Sequence, residues 1–109
     1  MESKGKILNQ ERRRFPRKTC FFAEVDYAAC DEVFTDPIKD ISNGGVFIET
    51  DKRLPVGEDV TMLFSDFSRI DLIRISGDVI RTMPSGIVVK FDINDEGKKK
   101  NIEKYIDMV

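Results

Sequence analysis

A period of two runs through most of this chain and restricts it to strands. Phe21, Ala23, Val25 and Tyr27 fall on one face of an extended segment, and Phe22, Glu24 and Asp26 fall on the other. That is the alternation of a strand with one buried face. Residues 28–31 read as a turn and 33–41 as a second strand, with Pro37 marking an edge or a bulge because it lacks a ladder amide. Ser42-Asn43-Gly44-Gly45 is tight-turn chemistry, followed by a third strand over 46–50. A loop at Leu54-Pro55-Val56-Gly57 precedes the alternating set Val60, Met62 and Phe64. Ser65-Asp66-Phe67-Ser68 then leads into a long run over 70–82, and Pro84-Ser85-Gly86 turns the chain into Ile87, Val89 and Phe91. Six strands with short polar connections predict a mainly β protein. A closed antiparallel barrel fits them better than an alternating α/β sheet.

The last segment changes period. Asn94 can cap a helix, Asp95 and Glu96 suit the positive end of its dipole, and Ile102, Tyr105, Ile106 and Val109 share one helical face. A C-terminal α-helix that plugs or flanks the barrel is expected. Residues 1–18 are polar and weakly periodic, and read as a flexible basic arm or a short helix at most, leaving 19–109 as the folded body. At 109 residues the chain has room for one domain. Its balance of 40% hydrophobic and 35% charged residues is that of a folding chain, not a disordered one. No apolar stretch approaches the roughly 20 residues of a bilayer span, and the first residues lack the apolar run of a secretory signal. A cytoplasmic protein without membrane insertion is expected.

Charge is distributed unevenly. Residues 1–18 hold seven basic side chains, Lys4, Lys6, Arg12, Arg13, Arg14, Arg17 and Lys18, against Glu2 and Glu11, a balance of +5. The net charge is −2, so the remaining 91 residues carry −7. A basic tether on an acidic body suits a compact anionic partner more than a long duplex, although a solvated terminal tail has the same composition. Cys20 and Cys30 are too few for a disulfide framework and read as reduced thiols. With no histidine a Cys/His zinc site is excluded. There is no Gly-x-Ser-x-Gly elbow, no phosphate-binding Gly-rich loop and no base beside either thiol, so no enzyme activity is expected.

Two short patterns carry chemistry. The first is Glu11-Arg12-Arg13-Arg14-Phe15-Pro16-Arg17. Arg12, Arg13, Arg14 and Arg17 concentrate cations in a small volume, and guanidinium groups can fork onto phosphates or purine edges and lie flat on a purine face. Pro16 restrains the chain just before Arg17 and favours an extended course there. The second is Asp40-Ile41-Ser42-Asn43-Gly44-Gly45. The Asp40 carboxylate can accept from both N1–H and N2–H of guanine, which adenine lacks, and Ser42 adds a hydroxyl on the same side of the strand. Gly44 and Gly45 permit positive φ and close backbone approach to a ligand. The same residues are also ordinary turn formers whose side chains bond the local backbone.

In this order and separation the two patterns, R-x-x-x-R and D-x-S-x-x-G, resemble the signature of the PilZ domain, a bacterial receptor module for cyclic di-GMP. Arg13 and Arg17 take the first pattern's positions, and Asp40, Ser42 and Gly45 the second's. Ser76-Gly77-Asp78-Val79-Ile80-Arg81 and Gly86-Ile87-Val88-Val89-Lys90-Phe91 are similar to the late hairpin of that family's six-stranded barrel. The resemblance runs from Glu11 to the C-terminal helix. It implies two intercalated cyclic di-GMP molecules held between arm and outer barrel wall, with no further cofactor. Arg12 stands where an arginine before R-x-x-x-R accompanies two ligands rather than one. Arg14 is in reach of a phosphate, and Arg81 can reach the same surface or stand as an exposed strand arginine. The expected mechanism is an arm that is loose when free, folds across the barrel on the anionic ligand and signals through a protein partner not identified by the sequence. A protein-interaction module of the same fold that binds no nucleotide is the alternative. A single-stranded nucleic-acid platform using Phe15, Phe22, Phe34 and Phe67 is disfavoured by the acidic body.

Overall fold

The computed structural model describes residues 17–20, 23–65 and 72–109. Among the described residues, seven strands and one helix follow in chain order: β1 (Lys18–Thr19), β2 (Glu24–Ala29), β3 (Glu32–Ser42), β4 (Gly45–Glu49), β5 (Asp59–Ser65), β6 (Leu72–Met83), β7 (Gly86–Asp92) and α1 (Glu96–Met108). The sheet order is β1-β3-β2-β5-β6-β7-β4, and β4 also pairs with β3. That last pairing closes β2 to β7 into a six-stranded antiparallel barrel and leaves β1 outside it. The expected fold class is therefore the observed one, with β1 as an unforeseen seventh strand.

Alternation places the core. Val25, Tyr27, Ile41, Val46, Ile48, Val60, Met62, Phe64, Ile75, Val79, Ile87 and Val89 point inward and are almost wholly buried. Their strand neighbours face out, as a one-sided strand requires. The ring closes because β3 serves two partners. Its first half pairs with β2 from Ala29↔Glu32 to Glu24↔Pro37. Its second half pairs with β4 from Ile38↔Ile48 to Ser42↔Gly45, with a bulge between Ile38 and Asp40. The irregularity expected at Pro37 thus falls just beyond it, at Lys39.

Two boundaries differ from expectation. Ala28 and Ala29 continue β2, so the first turn shrinks to Cys30-Asp31, whose positive φ values of 54° and 64° are those of a tight two-residue hairpin. The proposed start of that strand, Phe21 and Phe22, lies outside the described residues, as does Ile70. At the helix, Asp95 rather than Asn94 is the N-cap, its carboxylate accepting from the Lys98 amide at 2.8 Å. Aspartate two residues before Gly97 reaches the third amide of the first turn, which Asn94 does not.

Helix α1 buries Ile102 and Tyr105 in the core, with Ile106 and Val109 half-buried beside them. Tyr105 meets Phe64 at 5.1 Å between ring centroids, and Phe64 meets Phe91 edge-on at 5.9 Å. Tyr27 donates to the Asp36 carboxylate at 2.7 Å and packs on Phe34 at 5.3 Å.

Both tyrosines resist ionisation. Burial, first, and then the bond to Asp36 push the Tyr27 phenol upward, and burial pushes Tyr105 to about 12. The neutral phenols are favoured by the fold, whereas the unfolded chain ionises near pH 10. Stability is therefore intact below pH 10 and falls as pH rises through 10 to 12. Denaturant midpoints measured in steps from pH 9 to 12 should hold to about pH 10 and drop beyond it, and Tyr105→Phe should flatten the decline by about 1 kcal/mol per pH unit. An unchanged slope in that variant would remove Tyr105 as a contributor.

Candidate functional site on the outer barrel wall

The two sequence patterns meet through β1. Lys18 lies opposite Ile41 and Thr19 opposite Asp40, and the Cys20 amide donates to the Lys39 carbonyl at 2.8 Å. This register brings Arg17 level with Ser42. The Arg17 Nε donates to Asp40 Oδ1 at 2.6 Å, its Nη2 stands 2.6 Å from the same oxygen, and its Nη1 donates to Ser42 Oγ at 3.4 Å. Among the described residues, Asp40 Oδ2 takes no donor. The ion pair is half-buried, with side-chain exposures of 28% for Arg17 and 22% for Asp40.

Ser42 is held from both sides. Its hydroxyl donates to the Gly45 carbonyl at 3.4 Å and accepts from the Gly44 amide at 3.3 Å, so the turn chemistry read in the sequence is present as well. Asn43 and Gly44 form the two-residue loop, and the Gly44 carbonyl accepts from the Phe91 amide at 2.9 Å. Neither Gly44 nor Gly45 adopts positive φ. Gly45 is required for another reason: a Cβ there would run into the Val89 carbonyl oxygen of β7. It serves the close approach of β4 to β7, and the positive φ that these two glycines permit is not used.

Arg81 is exposed on β6, just past a register shift. Its cross-strand partner is Val88, Val88 lies opposite Phe47, and Phe47 lies opposite Asp40. Asp40, Phe47, Val88 and Arg81 thus form one rung of the outer wall. At about 4.8 Å per strand, Arg81 stands roughly 14 Å from Asp40. It shares the surface and does not touch the acid. Arg12, Arg13 and Arg14 lie outside the described residues.

Sequence reasoning passed over two residues here. Phe47 is the half-buried outward neighbour of Val46 and Ile48, and the Lys39 ammonium lies 5.2 Å from its ring centroid. The available signal was an aromatic on the polar face of a strand, next to D-x-S. Phe34, one of the platform aromatics considered, packs instead on Tyr27 and under Lys52. Phe15, Phe22 and Phe67 lie outside the described residues.

Neither thiol is tuned for attack. Burial, and then the Asp40 charge, push Cys20 upward against a smaller opposing effect of Lys18, and a hydrogen bond with Glu58 pushes Cys30 upward. A nucleophile needs the opposite shift. Among the described residues no cluster of three or more Cys, Asp or Glu is arranged to hold a metal.

The half-buried Arg17–Asp40 pair should couple more strongly than a surface pair and less than a fully buried one. A double-mutant cycle with Arg17→Ala and Asp40→Ala in ligand-free protein should give about 1 kcal/mol, and each single change should lower Tm by a few degrees, of the order of 4–8 °C per kcal/mol. Strict additivity of the two losses would show that the pair contributes nothing.

A family model of the PilZ domain matches residues 11–108. No curated protein sequence matches the chain. Among solved structures, the PilZ domain of CeSA from a cellulose-synthesizing bacterium superposes with a TM-score of 0.72 at 14% identity, covering 84% of this chain and 95% of that one. The Bacillus subtilis inhibitor of motility MotI/DgrA gives 0.71 at 16% identity, covering 88% of this chain and 49% of that one. Borreliella burgdorferi PlzA, in a crystal structure with c-di-GMP, gives 0.64 at 16% identity, covering 96% and 45%. The chain spans about half the length of the last two. Identities this low speak for the fold alone, but the family model covers nearly all of the sequence, and the chain belongs to the PilZ domain family.

Proposed function

We propose that the chain is a receptor for cyclic di-GMP in the bacterial cytoplasm, binding two intercalated molecules and signalling through a protein partner. The observation that carries this reading is the Arg17 guanidinium seated on Asp40 and Ser42, which joins the two patterns at one place on the wall. The PlzA complex is a related fold with this ligand.

The ion pair suggests how binding proceeds. In the free protein Arg17 neutralises Asp40. A ligand phosphate competes for the guanidinium, and the carboxylate it gives up accepts from the N1–H and N2–H of guanine. Arg12, Arg13 and Arg14 add the cations that a four-fold negative ligand pair demands, and Arg81 closes the far end of the rung. The exchange replaces one internal charge pair by two intermolecular contacts and orders the arm across the barrel.

Isothermal titration with cyclic di-GMP should saturate near two ligands per chain, with no heat from cyclic di-AMP. One per chain would keep the receptor and discard the pair, whereas no binding would leave a protein-interaction module. Asp40→Asn places a donor against the guanine donors and should weaken binding by about 1–3 kcal/mol. In NMR relaxation measurements the amides of residues 1–16 should lose mobility at saturating ligand. Equal mobility in both states would end the arm-ordering account.

A further inference from the structure

The outer wall beside Asp40 carries a surface that neither sequence pattern includes. Phe47 lies directly opposite Asp40, so the two Cβ atoms are about 5 Å apart. Its ring sits against the backbone of Gly86, where a Cβ would come within 2.6 Å of Phe47 Cε1. Val88 stands beside it as cross-strand partner. Glycine beneath the ring lets it lie down on the wall instead of standing away from it. The Lys39 ammonium, carried on the bulge of β3, covers the ring at 5.2 Å.

A purine whose Watson–Crick edge is held by Asp40 has to lie over the neighbouring position. That position is an aromatic ring fixed from below, next to a cation on a long flexible stem. We propose that Phe47 is the floor on which one guanine base of the ligand stacks, and that Lys39 covers this floor in the free protein and moves to a ligand phosphate on binding. The inference rests on the receptor reading above and adds a base-stacking, positioning residue to it. Stacking of a base on an aromatic ring is stronger than the contact of an exposed ammonium with that ring, so the exchange runs toward the base. The ammonium is not lost as a contact, because a phosphate is a better partner for a point charge than a ring is.

The test uses the full chain, cyclic di-GMP as ligand and three substitutions at one position. Phe47→Leu keeps apolar bulk and removes the π face, and should weaken binding about 5- to 100-fold. Phe47→Tyr keeps the ring and should retain wild-type affinity. The chain contains no tryptophan, so Phe47→Trp places the sole indole at the site. Emission from that indole should be quenched on titration with cyclic di-GMP and left unchanged by cyclic di-AMP. If wild type binds while Phe47→Leu binds equally well, or the emission of the Phe47→Trp variant is unmoved at saturation, the stacking floor is overturned and the receptor stands. If wild type itself does not bind, both readings fall. Should Phe47→Leu melt early, the emission change alone decides.

Discussion

Closure of the ring by β3 is the constraint on which the rest of the molecule depends. A six-stranded sheet leaves two open edges unless its end strands pair with each other, and here β3, already paired with β2, pairs with β4 from Ile38 onward. The bulge in that closing pairing leaves both Lys39 and Asp40 out of the core, with Ser42 buried two residues on. Removing the bulge would alter the register by one residue and send Asp40 toward the core while bringing Ile41 out. The geometry that seals the core and the geometry that displays the acid are therefore the same geometry.

The site is built at low conformational cost because its parts are supported by backbone. Arg17 is placed by the pairing of β1 with β3, and Ser42 by the Asn43-Gly44 turn. Gly45 contributes by what it lacks, admitting β7 within reach of β4. A pattern position that reads as a ligand contact also meets a packing requirement. The distinction matters for substitution: Gly45 acts on the fold, whereas Arg17 and Asp40 act on the wall.

Much of this was legible beforehand. Alternation is a strong signal when one face is fully buried, which is why β2 through β7 and their inward residues could be read from Val25, Met62 or Val89. The helix face was legible for the same reason through Ile102 and Tyr105. What stayed hidden depends on pairings distant in sequence. Two residues, Lys18 and Thr19, have no periodicity of their own, and β1 exists because β3 offers them an edge. The first turn was drawn two residues too long because alanine carries little strand signal, and the ladder between β2 and β3 extends through Ala28 and Ala29 to leave Cys30-Asp31. Phe47 looked like one more strand aromatic, and acquired meaning once the register put it opposite Asp40.

The ladder also divides the wall by the order in which its parts can assemble. β2 with β3, β3 with β4, β5 with β6 and β6 with β7 are neighbours in sequence, while β2 with β5 and β4 with β7 join distant segments. Local hairpins form before distant strands meet, because loop closure is costly. Asp40, Ser42 and Arg17 belong to a continuous stretch that needs no late pairing. Val88 and Arg81 come beside Phe47 only when β4 meets β7. The rung is thus half early and half late, and a molecule gripping both halves would act as a clasp across the seam of the barrel, slowing its opening more than any contact confined to one hairpin.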